Sequence, residues 1–165
     1  MRPLAILTSI FLCFSFCSCS ASDVEQKAVL LNLKQYQNRV LQTNDTVYVV
    51  NFLTTWCGPC AAELPHFRHL MKQYKNQAVK FIFVSLDELS DMAKLNKFIH
   101  KKKLDTEVYL LDAGDPSVWI PQLELRWEGA IPATFIYQQQ KKRAFNEGSF
   151  PSKEALEAFI APFIK

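Results

Sequence analysis

Apolar and polar positions follow two rhythms along this chain, and the switches between them predict its elements. Thr46 to Leu53 (TVYVVNFL) is a nearly continuous apolar, β-branched run, the pattern of a strand covered on both faces. Leu64, Phe67, Leu70, Met71 and Tyr74 follow at helical spacing, and Lys80 to Leu86 (KFIFVSL) repeats the buried-strand pattern. Met92, Leu95, Phe98 and Ile99 mark a second amphipathic helix, for which Ser90 is the expected cap. Ahead of these, Leu30, Leu31 and Leu33 predict a short strand, and Leu33, Tyr36, Val40 and Leu41 a helix that stops at the polar turn Thr43-Asn44-Asp45. Glu107 to Leu111 (EVYLL) and Ala133 to Tyr137 (ATFIY) predict further strands, Pro116 to Leu125 a short helix or irregular piece, and Arg143 to Glu147 an antiparallel return. Ser152 is placed to cap a last helix with Leu156, Phe159, Ile160, Phe163 and Ile164 on one face. Strand and helix in alternation predict an α/β domain built on a parallel sheet.

Composition narrows this to one globular domain: the chain has 165 residues, 49% apolar and 21% charged, too apolar for disorder and too short for two ordinary domains. Its charge is 19 basic against 16 acidic residues, a formal +3. That is too near neutral to point to a nucleic-acid partner. Lys101, Lys102 and Lys103 read as a local cluster at a helix C-terminus, where cations suit the dipole.

The first 22 residues differ from the rest, with Arg2 as their one charge, an apolar stretch from Leu4 to about Phe16 and small residues after it. This is the three-part layout of a secretory signal peptide, and its apolar core is short for a membrane span of roughly 20 residues. Phe16-Cys17-Ser18-Cys19 resembles a loose bacterial lipobox, so residues 1–19 are read as a lipoprotein leader with Cys19 as the lipidated residue; Ala21 offers an ordinary alternative cut. Cys13 and Cys17 would be lost with that leader, and the folded domain is expected over residues 24–165. An acylated Cys19 would anchor the domain to a membrane without spanning it.

Of five cysteines, only Cys57 and Cys60 then remain, which excludes a disulfide framework and, in an exported chain, suggests redox chemistry. They stand where a buried strand passes into a helix, so the leading sulfur meets the unpaired N–H groups and positive dipole end of the first turn. Cys57 is expected to be the nucleophile, its pKa lowered into the range of about 3.5 to 7.5 known for such cysteines. Cys60, further inside the helix, is expected to attack the mixed disulfide and release the substrate.

WCGPC (Trp56 to Cys60) after a buried strand resembles the thioredoxin active-site motif, and Ile131-Pro132-Ala133-Thr134 resembles the cis-proline loop of that superfamily. Asn51 in place of a buried aspartate, Glu63 three residues after Cys60, and Pro65 make the chain similar to the exported TlpA/ResA-type thiol-disulfide oxidoreductases. The resemblance covers most of residues 46–165. It implies a thioredoxin-like α/β fold with a central mixed β-sheet flanked by helices, an N-terminal βα extension, and a helix-strand insertion from about Leu89 to Ile120. Glu63 is implied as the proton acceptor for Cys60, because the Asn51 amide cannot take that proton. Burial beside the thiols should raise its pKa. Trp56, Gly58, Pro59, Ile131, Pro132 and Gly148 are implied as the substrate-binding groove, together with Trp127. Ile131 would offer its main chain to an extended substrate, and Gly148 would be glycine because a side chain would crowd the sulfur. Trp119 and Trp127 fit a core position as well as a groove one.

Other uses of a CxxC fit less well. His66 and His69 follow Cys60 too closely on one helix to complete a zinc finger and read as partly exposed helix residues, as His100 does. Covalent haem needs a histidine where Ala61 stands, a peroxiredoxin needs a proline where Val50 and Asn51 stand, and a copper chaperone expects a CxxxC. No metal and no bound cofactor is expected beyond the redox-active Cys57/Cys60 disulfide itself. Expected partners are exported proteins with thiols or disulfides, including apocytochrome c in some members of the group, a membrane electron donor, and the membrane through the lipid anchor. A periplasm-facing monomer that reduces its substrates is the leading expectation. A disulfide-introducing oxidase of the same fold, or a non-catalytic binding protein, is the alternative.

Overall fold

The computed structural model describes residues 26–164. The leader readings on Arg2, Cys13, Cys17, Cys19 and Ala21 lie outside the described residues, and so do the first residues of the expected domain. The chain runs β1 (Val29–Asn32), α1 (Leu33–Val40), β2 (Val47–Leu53), α2 (Gly58–Gln73), β3 (Val79–Ser85), α3 (Met92–Lys102), β4 (Glu107–Asp112), α4 (Pro116–Leu123), β5 (Ala133–Gln138), β6 (Lys141–Glu147) and α5 (Lys153–Ile160). The six strands form one mixed sheet in the order β1-β4-β3-β2-β5-β6. β1, β4, β3 and β2 are mutually parallel, and β5 and β6 are antiparallel to their neighbours.

Strand β2 explains its own sequence. It lies between β3 and β5, with Val50 opposite Ile82 on one side and Phe135 on the other, and every one of its residues is buried. Alternation sends Val47, Val49 and Leu53 into a core with Leu64, Phe67 and Leu70 of α2, Leu95 and Ile99 of α3, and Leu156 and Ile160 of α5. Tyr48, Val50 and Phe52 face the other way, into a second core with Tyr36 and Val40 of α1 and Trp119 and Leu123 of α4. Both cores are built from described residues, so the sheet and its two helical layers are contained in 26–164. Asn51 is the polar exception on the α2 side, and it is fully buried. The outer strand β6 begins with exposed Lys141, Lys142 and Arg143, charges that discourage edge-to-edge pairing.

Three expectations change. Ser90 does not cap α3: the chain enters through a 3-10 turn, Leu89–Asp91, in which Asp91 N–H bonds Glu88 O at 2.9 Å, and no side chain caps the helix. The last helix stops at Ile160 and passes into a 3-10 turn, Ala161–Phe163, because Pro162 has no N–H to extend it. Trp127 belongs to the core rather than the groove. It is 4% exposed, its ring lies 5.0 Å from Phe52 and 5.6 Å from Trp119, and its Nε1–H donates to Ala130 O at 2.9 Å. A buried tryptophan with its N–H satisfied gains both its large apolar area and its hydrogen bond.

Candidate active site

The parallel strands point their C-terminal ends at one edge of the molecule, and the site is assembled there. β2 ends at Leu53, and the next four residues turn into α2 with Cys57 N–H bonded to Thr54 O at 3.3 Å. Asp87, just past β3, holds this turn: its buried carboxylate accepts from Thr55 N–H (2.9 Å), Thr55 Oγ1 (2.8 Å) and Ser85 Oγ (2.7 Å). No motif in the sequence marked Asp87 for this role.

Cys57 is the N-cap of α2, and Pro59 in the first turn suits a position where no N–H is needed. Cys57 and Cys60 form a disulfide with Sγ atoms 2.05 Å apart. The Cys60 N–H donates to Cys57 Sγ at 3.2 Å, so charge left on that sulfur by reduction meets a backbone donor as well as the helix dipole. Cys57 is 6% exposed and Cys60 fully buried, a difference that leaves Cys57 as the sulfur an incoming partner reaches. Trp56, Gly58 and Pro59 surround it at the surface, with Trp56 68% exposed.

On the far side of the sulfur stands the loop before β5. The Ile131–Pro132 peptide bond is cis, and Ile131 O lies 3.9 Å from Cys57 Sγ. The Ile131 N–H bonds to no other described residue, which leaves the main chain here free to pair with an extended segment. Gly148 joins this loop through its N–H, 2.8 Å from Pro132 O. The expected reason for glycine there is corrected: a Cβ would meet nothing within 4 Å, so crowding plays no part, but φ is +99°, a conformation L side chains rarely adopt. Gly148→Ala is therefore expected to cost about 1–2 kcal/mol of stability with little change in disulfide exchange. Urea midpoints and exchange rates measured on the same preparation check this; a collapse of exchange at unchanged stability would restore the crowding account.

Glu63 lies one turn beyond Cys60 on α2 and is 1% exposed. Burial pushes its carboxyl from an ordinary 4.5 up to about 7, against the pull of two donors, Phe150 N–H on Oε2 at 2.9 Å and Asn51 Nδ2 on Oε1 at 2.8 Å. Asn51 Nδ2 also donates to Thr134 Oγ1 at 3.1 Å, while Asn51 Oδ1 is buried with no partner. The contacts of Phe150 with Glu63 and of Thr134 with Asn51 escaped the sequence reading because they are tertiary, between residues 87 and 83 apart in sequence. Among the described residues no three His, Cys, Asp or Glu side chains gather as a metal site would need.

A family model for AhpC/TSA proteins matches residues 17–142. Among curated proteins the chain is 40% identical over 65 residues to the mitochondrial thioredoxin-3 of Saccharomyces cerevisiae, covering 39% of this chain and 48% of that one. It is 24% identical over 124 residues to the thiol-disulfide oxidoreductase ResA of Geobacillus kaustophilus, covering 75% and 56%. The chain thus spans about half the length of these curated relatives. Its fold is similar to a crystal structure described as a putative thiol:disulfide interchange protein DsbE from Chlorobium tepidum, with a TM-score of 0.60 and 22% identity over 84% of this chain and 94% of that one. The chain belongs to the AhpC/TSA family, and on a thioredoxin-like α/β fold it carries the Cys57–Cys60 CxxC pair of the thiol-disulfide oxidoreductases.

Proposed function

We propose that this protein is a thiol-disulfide oxidoreductase of the bacterial cell envelope, lipid-anchored at Cys19, that reduces disulfides of exported proteins as a monomer. The observation that carries the reading is the buried trio along α2: Cys57 capping the helix with the Cys60 N–H on its sulfur, Cys60 behind it, and Glu63 one turn further in. The leader layout and the relatives named for thiol-disulfide oxidoreduction support it.

In the reduced state the Cys57 thiolate attacks a substrate disulfide, forming a mixed disulfide and releasing one substrate thiolate. Cys60 then loses its proton to Glu63 and attacks Cys57 Sγ, which frees the second substrate thiol and leaves the Cys57–Cys60 disulfide. Two electrons have passed to the substrate. A donor dithiol reverses the sequence, with Glu63 returning the proton to the departing Cys60 sulfur. Trp56, Gly58 and Pro59 provide the surface beside the sulfur, and the Ile131-Pro132 turn provides main-chain pairing. The same main-chain reading would serve many partners, apocytochrome c among them, and no metal or cofactor enters the steps.

The direction rests on the Gly58-Pro59 pair shared with thioredoxin, and the reduction potential tests it. Equilibration of the Cys57/Cys60 couple in a thiol redox buffer is expected to give a value at or below about −250 mV, that of a reductant. A value near about −120 mV would make the protein a disulfide-introducing oxidant instead.

A further inference from the structure

The end of the sheet opposite the disulfide has a chemistry of its own. β2, β3 and β4 are parallel, so the segments that lead into them lie at one end, and α2 returns its C-terminal half to that end. There a cleft of about 530 Å³ opens between α2, the start of β3 and the turn before β4. Arg68, Lys72, Lys75, Lys80 and Lys103 line it, with Asp105 as the one acid. Five of the chain's 19 basic residues thus meet one of its 16 acidic residues, a formal +4 against +3 for the whole chain. The β5–β6 hairpin turns at the same end, with Tyr137 beside Tyr48 of β2 and Gln138 paired with Lys141, and brings Lys141, Lys142 and Arg143 there as well.

Lys80 pairs with Glu107, but the other four cations have no acidic partner among the described residues. Met71, Val79 and buried Phe81 give the cleft an apolar floor beneath the charges. A cationic rim over an apolar floor suits an anionic surface with apolar matter behind it.

The course of the chain indicates which surface. β1 starts at Val29, level with Tyr109 and Val84 and so five residues, roughly 17 Å, up β3 from this end, and Cys19 precedes Val29 by ten residues, a tether of at most about 35 Å that is long enough to span that distance. The geometry points to an anionic phospholipid membrane as the occupant: the basic end of the sheet docks on the headgroups and turns the disulfide away from the lipid. β3, with seven residues, separates the two ends by roughly 23 Å. The Cys57 edge then faces the compartment that holds exported proteins. This inference rests on the envelope reading above.

The test uses the chain from Ser20 onward, which retains both cores, and vesicles of phosphatidylcholine with or without phosphatidylglycerol. Sedimentation at low salt is expected to show at least about 25-fold stronger partitioning onto the phosphatidylglycerol vesicles, since each cation near an anionic surface contributes roughly fivefold. Molar salt should abolish it. Lys72→Glu with Lys75→Glu should lower partitioning at least about 25-fold, whereas Lys34→Glu with Lys94→Glu, exposed in the first turns of α1 and α3 at the disulfide end, should change it by no more than about threefold. Unchanged disulfide-exchange rates in both double variants show that they fold. Equal binding to both vesicle types, or equal loss in the two double variants, overturns the docking surface. Binding to polyglutamate but not to vesicles also overturns it and assigns the cleft to an acidic polypeptide. Failure of Cys19 to take up labelled palmitate in a bacterial host would defeat the anchor reading alone, because the vesicle result does not depend on it.

Discussion

Serine at position 57 should remove disulfide exchange altogether, a fall of at least about 1,000-fold, while serine at position 60 should leave the first chemical step intact and block the second. A hydroxyl does not ionise near neutral pH, so the stabilisation offered by the helix N-terminus and by the Cys60 N–H has no anion to act on. Cys60→Ser keeps the nucleophile but loses the resolving sulfur, so Cys57 should remain joined to substrate. Non-reducing mass spectrometry should then find a one-to-one mixed disulfide that added dithiol releases. The asymmetry follows from burial, because Cys57 is the sulfur a partner reaches and Cys60 is fully enclosed. Retention of more than about a tenth of the exchange rate by Cys57→Ser would contradict the assignment of the nucleophile. Retained function in the Cys57→Ser, Cys60→Ser double variant would favour a binding protein over an enzyme.

Glu63→Gln should slow exchange and stabilise the fold at once. The rate at pH 7 is expected to drop about 10- to 100-fold and to lose its dependence on a group titrating near 7, because among the described residues no other carboxylate hydrogen-bonds into this buried cluster. The stability effect has a definite sign. Between pH 4.5 and about 7 the unfolded chain has released the Glu63 proton while the folded chain still holds it. Rising pH therefore favours unfolding across that window, and above it the full cost is about 3 kcal/mol, at about 1.4 kcal/mol per pH unit. Glutamine does not ionise, so the oxidised variant should be more stable than the parent at pH 8 by about 1–3 kcal/mol and nearly equal to it at pH 4. Urea titrations at the two pH values measure this, and parallel pH profiles for parent and variant would rule out a raised carboxyl at this site.

Much of the architecture was legible because it is written in local periodicity. β2 and β3 announce themselves as unbroken apolar runs, α2 by its spacing, and α5 by Ser152, whose hydroxyl does accept from Ala155 N–H at 3.2 Å. The cysteines were legible because their chemistry depends on a fixed offset at a strand-to-helix turn, and Glu63 through the resemblance that its spacing from Cys60 carries. What escaped depends on chain segments that meet only after folding. Trp127 gives no local sign that Phe52 and Trp119 will enclose it, and Gly148 none that its backbone angle, rather than the sulfur's need for room, requires glycine. The basic cleft escaped for the same reason: Lys103 read as one of a helix-end trio, but the sheet brings it to Arg68, Lys72, Lys75 and Lys80. A short entry turn such as Leu89–Asp91 also defeats prediction, since one backbone bond there replaces the expected serine cap.

The partnerless oxygen of Asn51 has a use that an aspartate could not share. In the described arrangement the amide gives both of its protons away, to the Glu63 carboxyl and to the Thr134 hydroxyl. Rotating the amide by half a turn exchanges oxygen for nitrogen, and the oxygen then accepts a proton from neutral Glu63 and another from the Thr134 hydroxyl, which is equally able to donate. One arm of the amide is unpaired before and after, so the two orientations differ little in the hydrogen bonds they satisfy. The carboxyl can thus gain or lose its proton while its neighbour reverses polarity in place, without movement of backbone or core.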